Sequence, residues 1–433
     1  MQKVRSNHIM FSLLLLGAAV TGCKKDFSNP NDANAEDVFK QDRATTGVAV
    51  GIQRQYSTTM AGSIFAIVDA NGFVTNEFTL MNAGNIGELQ LFTGGNAVDA
   101  TNNVITNIWT NSAKVMFDAD NVLRYANNMG DKSYSAGLIS YTSIFKALAL
   151  GNMGMFWEKV PDTVGINNAG FINRIDGFKK AIAVLDNGIN AFNATPMNAT
   201  VKARLPGDVD IINTLYALKA RYALLAGDYN TALSAADKVD LSKRSVFSFN
   251  ALTLNPVYES ATSPNNIFQP VDSTLGLPKA LEPDLSDKRI PFFIRIATGP
   301  RFRISGFYAG STTPIPIYTP GELMLIKAEA NVRKGVPDLP TAIVELNKVL
   351  TKKAATDIYG VGADLPPYAG AVTPDAILTE IYRNRCIELF MTGMKLEDMR
   401  RFNRPAAERK RTFFPYPFRE RDNNTNTPPD PAG

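Results

Sequence analysis

The sequence predicts a mainly α fold, in which TPR-like helix-turn-helix repeats form an α-α superhelix packed against an irregular, loop-rich face. Two observations predict it. Apolar residues recur at three-to-four spacing through most of the chain, and two helix pairs share an internal offset. Between the pairs lie two long tracts, 61–103 and 250–318, rich in Gly, Asn, Thr and Pro. Irregular tracts of that length are usually functional or disordered, and their many Phe and Tyr residues argue against disorder.

The hairpin at 211–241 carries Leu215, Leu218, Tyr222 and Leu225 on one helix, a break at Gly227 and Asp228, then Ala232, Ala236 and Val239. The hairpin at 319–351 repeats this around a break at 335–340. Ala220 and Ala232 are twelve residues apart, as are Ala330 and Ala342, and small residues at such facing positions let two antiparallel backbones approach. That offset is the TPR pattern, although two loose copies also fit unrelated helical hairpins. A third pair is expected at 137–191, its first helix apolar almost all round and its second amphipathic. A fourth is expected at 374–402, where Pro374 suits the first turn of a helix. Trp109, Trp157 and Cys386 fall on apolar patterns and are assigned to the core. The basic cluster Arg400, Arg401, Arg404, Arg409, Lys410 and Arg411 is expected to be a solvated helix end that complements the helix dipole.

The N-terminus reads differently. Lys3 and Arg5 precede an apolar run at 9–20, shorter than the roughly 20 residues that span a bilayer, and Val20, Thr21 and Gly22 lead into Cys23. This is the order of a lipoprotein signal peptide (1–22), with Cys23 as the lipidated first residue of the mature chain. Residues 23–36, rich in Asn and Asp, read as a tether; 37–420 read as one domain and 421–433 as a disordered tail. No later segment approaches transmembrane length, so the body is expected to be water-soluble.

Cleavage before Cys23 also removes His8, the only histidine of the 433 residues. Without histidine the body cannot build a Ser-His-Asp or Cys-His nucleophile, nor a histidine-ligated metal site. Cys386 is left without a disulfide partner. Basic and acidic residues nearly balance, 45 against 41 in the whole chain, which does not suit nucleic-acid binding. Neither a phosphate loop nor a nucleophile elbow is present, and no cofactor or metal is expected. Paired carboxylates of the glycosidase type remain open to composition.

The order of parts resembles the SusD/RagB family of Bacteroidetes outer-membrane lipoproteins over nearly the whole mature length. The resemblance starts with "CKKDF" at Cys23 and continues through "IWTNSAKVMFDADNVL", "KALALGNMGMFWEKVP" and "LKARYALLAGDYNTAL". It is further carried by "SDKR" at 286–289, "IYTPGELMLIKAEANVRKG" and the C-terminal "EIYRNRCIELFMTGMKLEDMRRFNR". In the last, Arg385, Glu388, Leu389, Gly393, Lys395, Asp398, Arg400 and Arg401 match the family's signature, while Asn384, Thr392 and Met399 depart from it. The motif reads as structural, since Arg385 and Glu388 are spaced to pair across one helical turn.

The resemblance implies four TPR-like units and a non-catalytic, surface-exposed lid. Such a lid is lipid-anchored in the outer membrane, binds a glycan or other small nutrient, and passes it to a SusC-like TonB-dependent transporter. It places ligand contacts largely in loops, which here means the first tract. There Phe73, Phe78 and Phe92 are the candidate rings for a sugar face, with Asp69, Asn71, Asn76, Glu77, Asn82, Asn85 and Glu88 as polar partners. Tyr258, Phe268, Phe307 and Tyr308 are weaker candidates from the second tract. Two other classes stay open: a TPR-like scaffold lipoprotein that binds a protein or peptide partner, and a glycoside hydrolase with facing carboxylates about 5–9.5 Å apart.

Overall fold

Short polar residues and prolines set most helix starts in this chain, and the helices between them stack in sequence order. The computed structural model describes residues 38–262, 264, 266–297 and 301–433. The expected signal peptide, Cys23 and the tether lie outside the described residues.

The first part of the chain runs through α1 (Asp42–Ser57), α2 (Ser63–Val74), β1 (Phe78–Leu80), α3 (Ile86–Thr93) and α4 (Asn103–Asn127). The Asn102 side chain caps α4 by accepting the Val104 and Ile105 amides at 2.9 and 3.1 Å. Asp131 caps α5 (Lys132–Phe156), which is buried from Tyr134 to Phe156 except at Lys146. A loop bounded by β2 (Lys159–Pro161) and β3 (Phe171–Asn173) leads to α6 (Arg174–Ala194) and the short α7 (Ala199–Arg204).

The hairpin α8 (Ile211–Ala226) and α9 (Tyr229–Ala236) turns at Gly227, whose φ of +79° is left-handed, and Asp228 caps the second helix. After β4 (Val246–Phe247), the second irregular tract holds α10 (Pro256–Thr262), β5 (Phe268–Pro270), α11 (Arg289–Phe293), β6 (Ile294–Ala297), β7 (Arg301–Ile304) and β8 (Ile315–Pro316). Thr319, Asp338 and Thr373 then cap α12 (Pro320–Arg333), α13 (Leu339–Leu350) and α14 (Pro374–Glu388), followed by α15 (Lys395–Arg401) and α16 (Phe418–Asn423).

Contacts run along the series: α4 on α5, α5 on α6, α6 on α8, α8 on α9, α9 on α12, and α12 on α13 and α14. This is a mainly helical, TPR-like stack. The strands form two-stranded antiparallel pairs, among which β1 and β5 join the two irregular tracts with Phe78 opposite Pro270. One apolar core extends from Ala49 to Tyr416 and takes side chains from both tracts; a smaller one fills the space between α12, α13 and α14. Among the described residues no helix is long and apolar enough to cross a membrane.

Four expectations are corrected. The tract 61–103 is not loop throughout: α2 is buried along its entire length and α3 follows. Asn and Gly within 63–74 suggested a turn, but burial on every side overrides their low helix propensity. The segment 421–433 is packed rather than disordered, since Asn424 is buried and Asp430 accepts the Tyr416 amide at 2.8 Å.

The basic cluster is not a solvated helix end at its start, because the Arg400 and Arg401 side chains, 6% and 9% exposed, are taken up in ion pairs with Glu397 (2.5 Å) and with Glu329 and Asp398 (2.6 Å). Arg385 does not pair with Glu388. It binds Asp398 at 2.8 Å, while Glu388 binds Arg289 at 3.2 Å and Lys352 at 2.6 Å. Arg289 and Asp287, 2.7 Å apart, are the charged residues of the "SDKR" segment that lie in this buried layer. Trp109 and Trp157 sit in the core as expected, edge to face at 4.9 Å, and Cys386 is buried.

Candidate functional site

Five of the eight residues singled out as ligand contacts are buried, and the expectation that they face a ligand is corrected. Asp69, Asn71 and Phe73 lie on α2 with no exposed surface. Phe73 and Phe78 pack with Phe268, the last two stacked at 4.2 Å. Asn71 donates to Glu77 at 2.9 Å and accepts the Leu396 amide at 2.9 Å, so it ties α2 to α15. Burial pushes the Glu77 carboxyl up to about 7, and burial with the nearby Glu88 pushes Asp69 well above the usual carboxylate range.

The other three reach the surface. Asn76 donates to the Glu408 carbonyl at 2.9 Å, Asn85 bonds Asn82 at the start of α3, and Phe92 lies under the Lys410 ammonium at 4.1 Å. They are not brought together with the buried five on one exposed face. Phe268, Phe307 and Tyr308 of the second tract are also buried.

Among the concavities formed by the described residues, two contrast most in size. One, about 80 Å³, is lined by Tyr56, Tyr222, Tyr318 and the buried Arg221–Glu322 pair. At a liquid volume of roughly 30 Å³ per water, it suits a few waters rather than a saccharide. The other is an open groove of about 800 Å³ between α4, α5, α6 and the 162–170 loop, within the range of roughly 300–1,000 Å³ common for ligand sites.

The groove is built from three helix faces and one loop. On α4, Val115, Met116, Ala119, Val122 and Leu123 turn inward, which leaves Phe117, Asn121 and Arg124 on the outer face at i, i+4 and i+7. The Phe117 ring is 44% exposed. Lys146 is the residue at which the buried run of α5 opens to the groove, and it ion-pairs with Asp120 of α4. Lys180 of α6 pairs with the Asp162 carboxylate and donates to its carbonyl at 2.8 Å. Arg124 donates to Asn121 at 3.0 Å.

The loop is pinned at its base by the β2–β3 pair, and the Asp162 amide donates to the Gly170 carbonyl at 2.7 Å. Gly165, at φ +78°, lies against Phe117 so closely that a Cβ there would stand 2.5 Å from the ring's Cδ2. The walls therefore present one aromatic ring, three amides and nearly balanced charge. That combination suits a ligand with an apolar face edged by hydroxyl groups.

No protein-family model matches the sequence, and no curated protein matches it. Solved structures do. A SusD superfamily protein from Bacteroides fragilis aligns over 90% of this chain and 99% of its own, at 17% identity and a TM-score of 0.64. A putative sugar binding protein from Bacteroides vulgatus aligns over 90% and 98%, at 14% identity and a TM-score of 0.67. A SusD-like carbohydrate binding protein from B. fragilis aligns over 84% and 87%, at 14% identity and a TM-score of 0.63.

The chain has the SusD fold. Within that fold the groove opens on the helical stack, away from the irregular face where the ligand residues were expected. Its signal was present in the sequence: Phe117 is an aromatic residue on the polar stripe of an amphipathic helix, between Lys114 and Asn121. The loop's contribution was not legible, because nothing in 161–170 indicates which helix it folds against.

Proposed function

We propose that this chain is an outer-membrane surface lipoprotein, anchored through Cys23, that captures an oligosaccharide and hands it to a SusC-like TonB-dependent transporter. The observation that carries the capture step is the open groove of about 800 Å³ with the half-exposed Phe117 ring on a polar, charge-paired wall. A pyranose offers an apolar face to such a ring and hydroxyls to the amides and carboxylates around it. The SusD-like carbohydrate binding protein and the putative sugar binding protein that share this fold support the same ligand class. Anchoring and delivery rest on the sequence resemblance and on the signal-like residues before Cys23.

Binding without chemistry is the reading that the groove's charges favour. Its two carboxylates, Asp120 and Asp162, are each taken up by a lysine of the protein, whereas a glycosidase pair is left open to flank the scissile bond. The carboxyls pushed upward, Asp69, Glu77 and Glu88, are not among the groove residues. A glycan array probed with the mature chain is the test. Retention of one or more oligosaccharides, intact after overnight incubation, is expected; cleavage of the retained glycan would overturn the non-catalytic reading.

A further inference from the structure

Outside the groove, the segment after Pro417 touches both of the elements that carry its facing walls, α4 and the 162–170 loop. On the α4 side, the Glu420 carboxylate accepts Trp109 Nε1–H at 3.1 Å, and the Phe418 amide donates to the Ala100 carbonyl at 2.9 Å, just before α4 begins. Trp109 lies two helical turns from Phe117 on the same helix. On the loop side, Asn424 Nδ2 donates to the Ala169 carbonyl at 3.0 Å and Asn426 Nδ2 to the Asn168 carbonyl at 2.7 Å. The Thr425 amide donates to Asn168 Oδ1 at 2.9 Å. Glu420 couples the two sides, because its other oxygen accepts Asn424 Nδ2 at 2.8 Å.

The segment is itself held shut. Asp430 accepts the Tyr416 amide at 2.8 Å and pairs with Arg421 at 2.6 Å, and Arg411 donates to the Pro431 carbonyl at 3.0 Å. It forms a hook fastened to the core at one end and to the loop in its middle.

We propose that residues 418–430 are a positioning element of the groove, fixing the 162–170 loop at the distance from α4 at which a ligand meets Phe117 and the loop together. The proposal rests on the reading of the groove as the capture site. The physical need is preorganisation. A nine-residue loop left to order itself on binding would lose backbone freedom at each residue, and that loss is subtracted from affinity. Here side-chain amides bond its carbonyls beforehand. Gly165, without a Cβ, lets the braced loop close on the ring. Asn168, at φ +52°, holds the left-handed turn that aims its carbonyl and side chain at the hook.

The test uses the lipidated chain in a non-glycosidic detergent and an Asn424→Ala/Asn426→Ala double variant, which deletes the two side-chain amide donors to the loop carbonyls and leaves the Thr425 bonds to the Asn168 side chain. Hydrogen exchange of 159–173 is followed without ligand, and affinity is measured for the tightest oligosaccharide from the array. Two hydrogen bonds correspond to roughly a tenfold effect. Exchange in 159–173 about ten times faster, with exchange in α8 and α12 unchanged and affinity about tenfold weaker, is the expected result. Unchanged exchange overturns the brace, and faster exchange with unchanged affinity overturns its positioning role.

If the double variant does not fold, Asn426→Ala alone, at an exposed residue, carries the test with about a threefold effect on the same readouts. Should the wild-type chain bind no oligosaccharide at all, the capture reading fails, while exchange still decides whether the hook holds the loop.

Discussion

Replacing Arg289 by methionine removes the cation on which the buried layer around α14 closes. Its guanidinium is fully buried and bonds Asp287 at 2.7 and 3.0 Å, Glu388 at 3.2 Å and Asn384 at 2.8 Å. Methionine fills a similar volume without charge, so the effect isolates electrostatics from cavity formation. Glu388 keeps Lys352 at 2.6 Å, whereas Asp287 loses its ion pair while 1% exposed. Stranding one buried charge costs about 3–5 kcal/mol. With an unfolding entropy of about 2.1 cal/mol/K per residue over roughly 400 residues, Tm falls by about 4–6 °C.

The control is Lys114→Met, which breaks a pair whose lysine is 57% exposed and changes Tm by less than about 1 °C. Thermal melts of the three proteins by circular dichroism at one pH read the difference. If Arg289→Met melted within 1 °C of wild type, the claim that this layer depends on matched buried charge would be refuted.

Three further outcomes follow from particular residues. Because burial pushes Glu77 up to about 7 from 4.5, the folded chain holds a proton that the unfolded chain has released; this contribution is complete below about pH 4.5 and is lost as pH rises through 7. Glu77→Gln should therefore flatten Tm between pH 5 and 8 and melt roughly 2–4 °C above wild type at pH 8, and a parallel pH profile would contradict this. Gly165→Ala puts a Cβ at φ +78° against Phe117, costing about 1–2 kcal/mol and weakening glycan binding; calorimetry showing wild-type affinity would count against the loop as a groove wall. Cys23→Ala should move the chain from the membrane to the soluble fraction and abolish palmitate labelling, and retention in the membrane fraction would exclude the lipid anchor.

The helical stack was legible in the sequence because periodicity and caps are local. The Ala220–Ala232 and Ala330–Ala342 offsets fall in the α8–α9 and α12–α13 hairpins, and Thr319, Asp338 and Asp228 cap helices there. What was not legible depends on distant partners. Asp69 and Asn71 read as surface polar residues because their polar type predicts exposure, yet the body closes over α2 on every side. Arg385 and Glu388 have the spacing of a helical pair, but Arg289 and Asp398, from other segments, outcompete it. The tail looked disordered because Asn, Thr and Pro dominate it, while its order comes from contacts with Trp109 and Asn168, more than 250 residues earlier. Phe117 escapes notice for a different reason: within "IWTNSAKVMFDADNVL" it stands next to apolar residues, and only its place on the outer face of the helix sets it apart.

The central claim is that the groove beside α4 captures oligosaccharide. Titration calorimetry of wild type and Phe117→Ala against the best glycan from the array tests it most directly. Losing a half-covered ring removes about 1–2 kcal/mol of contact, so the account predicts binding roughly 5–30-fold weaker, with Tm changed little because the ring is 44% exposed. Equal affinity for the two proteins would contradict it and place the ligand elsewhere on the fold.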